Sequence, residues 1–192
     1  MKLTGLAKEF IASAPLVSPF AIDATVGNGH DTVFLAELVG PDGHVHAFDN
    51  QAIAVNASEQ YLAELGWADR ATIHLLSHAD MLGVLPKDCA ENIGACMFNL
   101  GYLPGSDHLH TTQTKSTLCA MEICSDLLCT GGRMSILCYP GHTAGGEETV
   151  AVMKWYKTLD PKRFEILEPV SHQSALDNQN TASPVLLCLT RW

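Results

Sequence analysis

Asp23-Ala-Thr-Val-Gly27-Asn-Gly29-His-Asp31-Thr32 is the stretch on which the fold turns. It follows a short aliphatic run, Phe20–Asp23, that reads as a first strand, and it leads into helical apolar spacing from His30 to Val39. Gly27 and Gly29 let the backbone turn sharply and approach a ligand with no Cβ in the way. The helix that begins near His30 leaves the N–H groups of its first turn without intrahelical partners, pointing beyond the strand end. A strand, a glycine turn and a helix open a βαβ unit, but G-x-G occurs in many loops, so the neighbouring segments decide its meaning.

Outward from this turn the pattern repeats. Gly40-Pro-Asp-Gly43 is a turn by composition. Val45–Phe48 is a second strand ending in Asp49, followed by a helix from Ala52 to Leu65. Ala71–Leu76 and Ile93–Phe98 read as the third and fourth strands, and Arg133–Cys138 as the fifth. Thr111–Leu128 has helical spacing with Thr130-Gly-Gly132 as its stop, and Gly146–Thr158 is a further helix. Phe164–Val170 and Val185–Thr190 close the sheet as an antiparallel pair, and the first dozen residues form a helix covering one edge. Strands alternating with helices predict an α/β, Rossmann-like fold with a mostly parallel seven-stranded sheet and helices on both faces. With no repeat or linker in sight, residues 1–192 are expected to form a single domain. Hydrophobic residues make up 47% of the chain and aromatics only 7%, so the core is aliphatic, as buried parallel strands require.

In such sheets ligands bind beyond the carboxyl ends of the strands, where the strand order reverses. Asp49 ends the second strand about twenty residues after the glycine turn, placed to accept both hydroxyls of an adenosine ribose. A dinucleotide site wants a third glycine three places after the second, for close helix packing against a pyrophosphate. Thr32 stands there instead. Asp23 makes the pattern D-x-x-x-G-x-G; an acid at that position repels pyrophosphate, yet it can help hold the ammonium of a methionine moiety through neighbouring groups or water. The turn therefore favours S-adenosylmethionine, with an NAD-dependent oxidoreductase as the remote alternative. Ser77-His78 follows the third strand, where an adenine ring is expected.

Asn99-Leu-Gly-Tyr102-Leu-Pro-Gly105 follows the fourth strand and resembles the Asn-Pro-Pro-Tyr turn of amino-group methyltransferases. A nitrogen nucleophile needs its N–H groups held so that its lone pair aims at the methyl carbon. The Asn99 side-chain oxygen and the Leu100 carbonyl supply two acceptors, and the Tyr102 ring can pack on a flat substrate. His142, in Tyr139-Pro-Gly-His142-Thr-Ala-Gly-Gly146, is a candidate substrate contact or proton acceptor, or simply a solvated loop residue.

Composition narrows the setting. Lys8 and Glu9 interrupt the apolar run a secretory signal would need, and no apolar stretch reaches membrane-spanning length, so a cytoplasmic location is expected. Seven cysteines without a CxxC pair predict reduced, buried thiols. His44-x-His46 and His108-x-His110 have no Cys or carboxylate spaced to complete a metal shell, and no metal is expected. The net charge of −10 argues against a broad nucleic-acid footprint. Lys154, Lys157, Lys162 and Arg163 nonetheless cluster, either as a solvated helix end or as a local phosphate contact.

Taken together, DATVGNGHDT (23–32), FDNQ (48–51), SH (77–78), NLGYLPGSDH (99–108) and YPGHTAGGEE (139–148) resemble the small family of tRNA 5-(aminomethyl)-2-thiouridine methyltransferases first grouped as rRNA methylases. The similarity runs in order from about Ala21 to the C-terminus; Asn50 and the polar tail SHQSALDNQNTASP depart from the family's pattern. The resemblance implies a class I methyltransferase fold and methylation of the exocyclic amine at the tRNA wobble uridine. It also implies that Asn28, Asp31, Asp49, Gln51, Ser77 and His78 line the cofactor site, with Asn99 and its turn facing the amine. The alternatives are a methyltransferase for rRNA or a small-molecule amine, and a non-catalytic cofactor- or RNA-binding module. A homodimer is a plausible way for a small acidic protein to grip tRNA.

Overall fold

The aliphatic runs form strands because they are buried on both faces of one sheet. The computed structural model describes residues 2–101, 112–141, 143–171 and 183–192. In chain order the elements are α1 (Leu3–Ile11), β1 (Phe20–Asp23), α2 (His30–Val39), β2 (His44–Asp49), α3 (Ala52–Glu64) and β3 (Ala71–Leu75). Then come β4 (Ile93–Asn99), α4 (Thr114–Leu127), β5 (Leu128–Cys138), α5 (Thr143–Tyr156), β6 (Phe164–Ile166), β7 (Val170–Ser171) and β8 (Val185–Arg191). A 3-10 turn, His78–Gly83, follows β3.

The strand order is β3-β2-β1-β4-β5-β8-β6, with β7 also paired to β8. Strands β1 to β5 run parallel, and β8 is antiparallel to β5, β6 and β7. The order reverses between β1 and β4, which places a crevice at their carboxyl ends. One face of the sheet packs a core that includes Phe48, Phe98, Met121 and Val152, under α4 and α5. The other packs Leu3, Ile11, Leu35 and Leu62, from α1, α2 and α3, against Val45 and Leu137. Tyr156 secures the last helix by donating its hydroxyl to the carbonyl oxygens of Leu167 and Cys188.

Three details differ from the sequence expectation. Strand β5 begins at Leu128, because Thr130-Gly-Gly132 is built into the strand as an irregularity instead of ending the helix by a loop. Gly131 takes a positive φ of 80°, and a Cβ on Gly132 would lie 2.7 Å from the Ile93 carbonyl. The expected strand Phe164–Val170 is split into β6 and β7, with Leu167–Pro169 between them; Pro169 has no N–H to donate to a ladder. Eight strands thus occupy the seven positions. Helix α1 covers the face of β5 and β8, not an edge: Leu3, Ala7 and Ile11, at i, i+4 and i+8, are buried against Leu137, Leu186 and Cys188.

Candidate active site

The crevice is a cleft of about 1320 Å³ bounded by the glycine turn, the ends of β2, β4 and β5, and one side of α1. The glycine turn is held from behind. Asp23 is 1% exposed; its Oδ1 accepts from the Thr25 N–H at 3.1 Å and its Oδ2 from the Thr32 hydroxyl at 2.6 Å. Burial, reinforced by the nearby Asp31 carboxylate, pushes the Asp23 pKa up to about 7. Thr32 is therefore the partner of Asp23 within the turn, a role that its standing in place of a third glycine did not announce.

Gly27 and Gly29 take positive φ values of 52° and 77°. A Cβ on Gly29 would lie 2.9 Å from the Ser58 hydroxyl oxygen of α3, and that hydroxyl donates to the Gly27 carbonyl at 3.1 Å. At Gly29 the turn is thus pressed against α3 with no room for a side chain. Asp49 ties it to β2: its Oδ2 accepts from the Gly27 N–H at 3.0 Å and its Oδ1 from the Gln51 N–H at 2.9 Å. Each carboxylate oxygen keeps a second acceptor site.

Gly27, Asn28, Asp31, Asp49, Gln51, Ser77, His78 and Asn99 all line the cleft; Asp23 and Gly29 shape its wall from behind. Ser77 caps the 3-10 turn by accepting from the Ala79 N–H at 3.3 Å. His78 is buried, and Nδ1 lies 2.9 Å from the Ala24 carbonyl. A carbonyl only accepts, so Nδ1 carries the proton. Burial lowers the ring's pKa, which keeps it neutral with Nε2 as an acceptor.

At the end of β4 the Asn99 N–H donates to the Thr25 hydroxyl at 2.7 Å, and Nδ2 donates to Asp31 Oδ2 at 3.0 Å. The described residues on either side of 102–111 are joined to each other. Gly101 N–H donates to the Thr112 hydroxyl at 3.1 Å, and the Thr112 N–H donates back to the Gly101 carbonyl at 3.0 Å. The buried Glu148 of α5 accepts from Thr112 at 2.6 Å and from Thr117 of α4 at 2.7 Å. Tyr102 and His142 lie outside the described residues, as do His108 and His110.

Sequence reasoning missed Lys8, Thr25, Ser58, Thr112 and Glu148. Lys8, Ser58 and Thr112 belong to no motif with a fixed spacing to the glycine turn; Thr25 lies inside DATVGNGHDT (23–32) and Glu148 ends YPGHTAGGEE (139–148), but neither stretch tells what its side chain reaches. Lys8 carried one signal: it adjoins the buried stripe of an amphipathic helix. Tyr139 also lines the cleft, where burial raises its pKa.

Other expectations fall elsewhere in the molecule. Lys154, Lys157, Lys162 and Arg163 lie toward the far end of α5 and beyond it, next to β6, whose Phe164 pairs with Arg191 at the amino-terminal side of β5. That is the opposite end of the sheet from the cleft, and Arg163 there pairs with Asp126 at 2.7 Å. His46 is buried beside His74, and burial drives its pKa down to about 4. Among the described residues, no group of three or more His, Cys, Asp or Glu could hold a metal, and no helix is long and apolar enough to cross a membrane. All seven cysteines are unpaired; five are buried, Cys129 is half-buried, and Cys119 is exposed.

A parallel sheet of this order with one antiparallel strand, and a cleft fed by a glycine turn and an acid at the end of β2, defines a class I methyltransferase fold, whose cofactor is S-adenosylmethionine. The cleft fits that group: Asp49 offers acceptors for vicinal hydroxyls, and Gly27 keeps its backbone open. The chain belongs to the family described as "Putative rRNA methylase", which matches residues 45–190. It is 34% identical over 139 residues to a chloroplastic tRNA (mnm(5)s(2)U34)-methyltransferase of Arabidopsis thaliana, covering 68% of this chain and 50% of that protein. The chain thus spans about half the length of this curated relative. Among solved structures, a putative rRNA methylase from Clostridium thermocellum is 33% identical with a TM-score of 0.89, covering 100% of this chain and 98% of that one. A putative methyltransferase from Streptococcus mutans, solved in complex with SAH, is 30% identical with a TM-score of 0.82, covering 100% and 99%.

Proposed function

We propose that this chain is an S-adenosylmethionine-dependent N-methyltransferase acting on the 5-aminomethyl group of 2-thiouridine at the tRNA wobble position. The observation that carries this reading is the Asn99 carboxamide. It lines the cleft, and its nitrogen is committed to Asp31, which leaves the oxygen to accept an N–H of the incoming amine. The similarity to the plant wobble-uridine enzyme supports the choice of amine.

The bound cofactor supplies an electrophilic methyl carbon on a sulfonium. Of the residues lining the cleft, Asp49 would hold the ribose hydroxyls, Gly27 and Asn28 would take the methionine part, and Ser77 and the neutral His78 would take the adenine. Gln51, at the start of α3, flanks the same side. Asn99 would hold one N–H of the neutral amine so that its lone pair points at the methyl carbon; Tyr102, outside the described residues, is the candidate ring for the base. His142 is the candidate for taking the proton the amine releases. Proximity and orientation supply most of the rate, an effect worth roughly 7–11 kcal/mol in favourable cases.

The test is methyl transfer from labelled cofactor to purified tRNA bearing 5-aminomethyl-2-thiouridine, read by nucleoside mass spectrometry. The expected product is 5-methylaminomethyl-2-thiouridine. No label on that nucleoside overturns the reading, and label on rRNA instead gives the acceptor in the family's description.

A further inference from the structure

Three elements meet at one carboxylate beside the cleft. Asp31, in the first turn of α2, accepts from Lys8 Nζ of α1 at 2.9 Å through Oδ1 and from Asn99 Nδ2 of β4 at 3.0 Å through Oδ2. Lys8 also donates to the His30 carbonyl at 3.0 Å and stands 5.1 Å from the centroid of the Phe34 ring. The side chains of Lys8 and Asp31 are 30% and 12% exposed, so the pair is shielded from bulk water without being sealed. Lys8, Asp31 and Asn99 all line the cleft, and Lys8 is the one lysine or arginine among its described lining residues.

An ionised carboxylate has no proton to donate, so the Asn99 atom facing Asp31 is the NH2 group. The backbone of Asn99 is fixed separately, through its N–H to the Thr25 hydroxyl. With both held, the carboxamide has one orientation. This matters because its two faces do opposite things to an amine: the oxygen accepts an N–H and leaves the lone pair bare, whereas the NH2 group hydrogen-bonds the lone pair and blocks it.

We propose that Asp31 and Lys8 are a positioning pair that locks the Asn99 carboxamide with its oxygen toward the acceptor nitrogen, which deepens the function proposed above and rests on it. Asp31 acts through Asn99, and Lys8 acts through Asp31 by holding its second oxygen and balancing its charge beside the buried Asp23. The N-terminal helix α1 is in this way part of the methyl-transfer machinery, and Asp31, which the family resemblance puts with the cofactor, works on the acceptor side.

The experiment compares wild type with Asp31→Asn, Lys8→Met, Lys8→Arg and the Asp31→Asn/Lys8→Met double variant. Single-turnover methylation of tRNA bearing 5-aminomethyl-2-thiouridine is measured beside S-adenosylmethionine Kd by calorimetry. Asp31→Asn should lower the single-turnover rate by about tenfold or more, the scale of a misplaced reacting group, with Kd nearly unchanged. Lys8→Met should lose less, Lys8→Arg should recover much of it, and the double variant should be no slower than Asp31→Asn. A second readout needs no acceptor: at one fixed pH the side-chain 15N–1H signals of Asn99 should shift, and exchange faster with water, in Asp31→Asn than in wild type. A Kd that weakens in step with the rate assigns Asp31 to the cofactor and overturns the proposal, as do fully additive variants or an Asn99 signal that is the same in wild type and Asp31→Asn. If wild type leaves this tRNA unmethylated, the proposed acceptor falls, and the Asn99 signals still decide on the pair.

Discussion

Asp49 and Asp23, at the ends of β2 and β1, show two carboxylates beside one turn set to different tasks by their surroundings. Asp49 lines the cleft, and each of its oxygens takes one backbone N–H, from Gly27 and Gln51. Asp49→Ala removes those contacts together with the acceptors for a ribose. Hydrogen bonds to a charged group are worth about 1.5–3 kcal/mol each, so the loss of even one to the ribose should raise S-adenosylmethionine Kd by roughly ten- to a hundredfold. An unchanged Kd by calorimetry would sink the ribose role. Asp23 lies behind the turn with its pKa raised from 3.8 to about 7 by burial and by Asp31. The folded protein therefore binds this proton more tightly than the unfolded chain does. Stability from this group is full below pH 3.8 and declines as pH rises toward about 7, above which the charged form is carried at a standing cost. Asp23→Asn keeps an acceptor for the Thr25 N–H and can donate to the Thr32 oxygen, so it should flatten that decline and stabilise the protein at pH 8. Urea midpoints measured from pH 4 to pH 8 check it, and parallel curves for wild type and variant would refute it.

The glycine turn owes its precision to α3 as well as to its own glycines. Gly29 and Gly66 separate the two effects, because both take positive φ, at 77° and 71°, but only Gly29 has a neighbour where a Cβ would stand. Gly66→Ala should cost about 1–2 kcal/mol of stability from the left-handed backbone alone. Gly29→Ala adds a 2.9 Å clash with Ser58, so it should cost more and also weaken the cofactor, which Gly66→Ala should not. Equal urea midpoints and equal Kd values for the two variants would mean the contact with α3 is slack. Much at this scale was legible in the sequence. Phe20–Asp23, His30–Val39 and the helix from Ala52 stand where apolar periodicity and the glycine turn put them. The start of β5 and the break between β6 and β7 were not legible. Gly131 and Gly132 read as a helix stop, and only the positive φ of Gly131 and the nearness of the Ile93 carbonyl to Gly132 show why two glycines sit inside a strand. The site divides in the same way. Asp49 and Asn99 announce themselves at strand ends, whereas Lys8, Ser58 and Glu148 act by reaching across from other elements, and local spacing holds no record of that.

At the scale of the whole molecule the proposed tRNA acceptor raises the question of how an acidic protein would meet RNA. The formal net charge is −10, so the average surface repels a polyanion. Lys154, Lys157, Lys162 and Arg163 are the densest run of positive charge in the sequence, and they invite assignment to phosphate binding. The fold argues against it. Helix α5 starts beside the carboxyl end of β5, where the cleft is, and runs 14 residues away from it. At 1.5 Å per residue that is about 21 Å, so the cluster lies near the amino-terminal ends of the strands. If the proposed base enters the cleft, its own and neighbouring phosphates come to the other end of the sheet. Arg163 is moreover engaged by Asp126 and packs on Phe164. At the cleft itself the cation among the described lining residues is Lys8, with Lys115 exposed nearby at the start of α4. Each phosphate contact contributes roughly 0.7–0.9 to the slope of log K against log salt, so a lost contact is measurable. Replacing Lys154, Lys157 and Lys162 together by Gln should leave both the tRNA KM and its salt slope as they are in wild type. Lys115→Gln should raise KM and flatten the slope by up to about one contact's worth. Steady-state methylation between 50 and 200 mM salt decides between the two ends of the molecule: a flattened slope in the triple variant would move the RNA to the far end of α5.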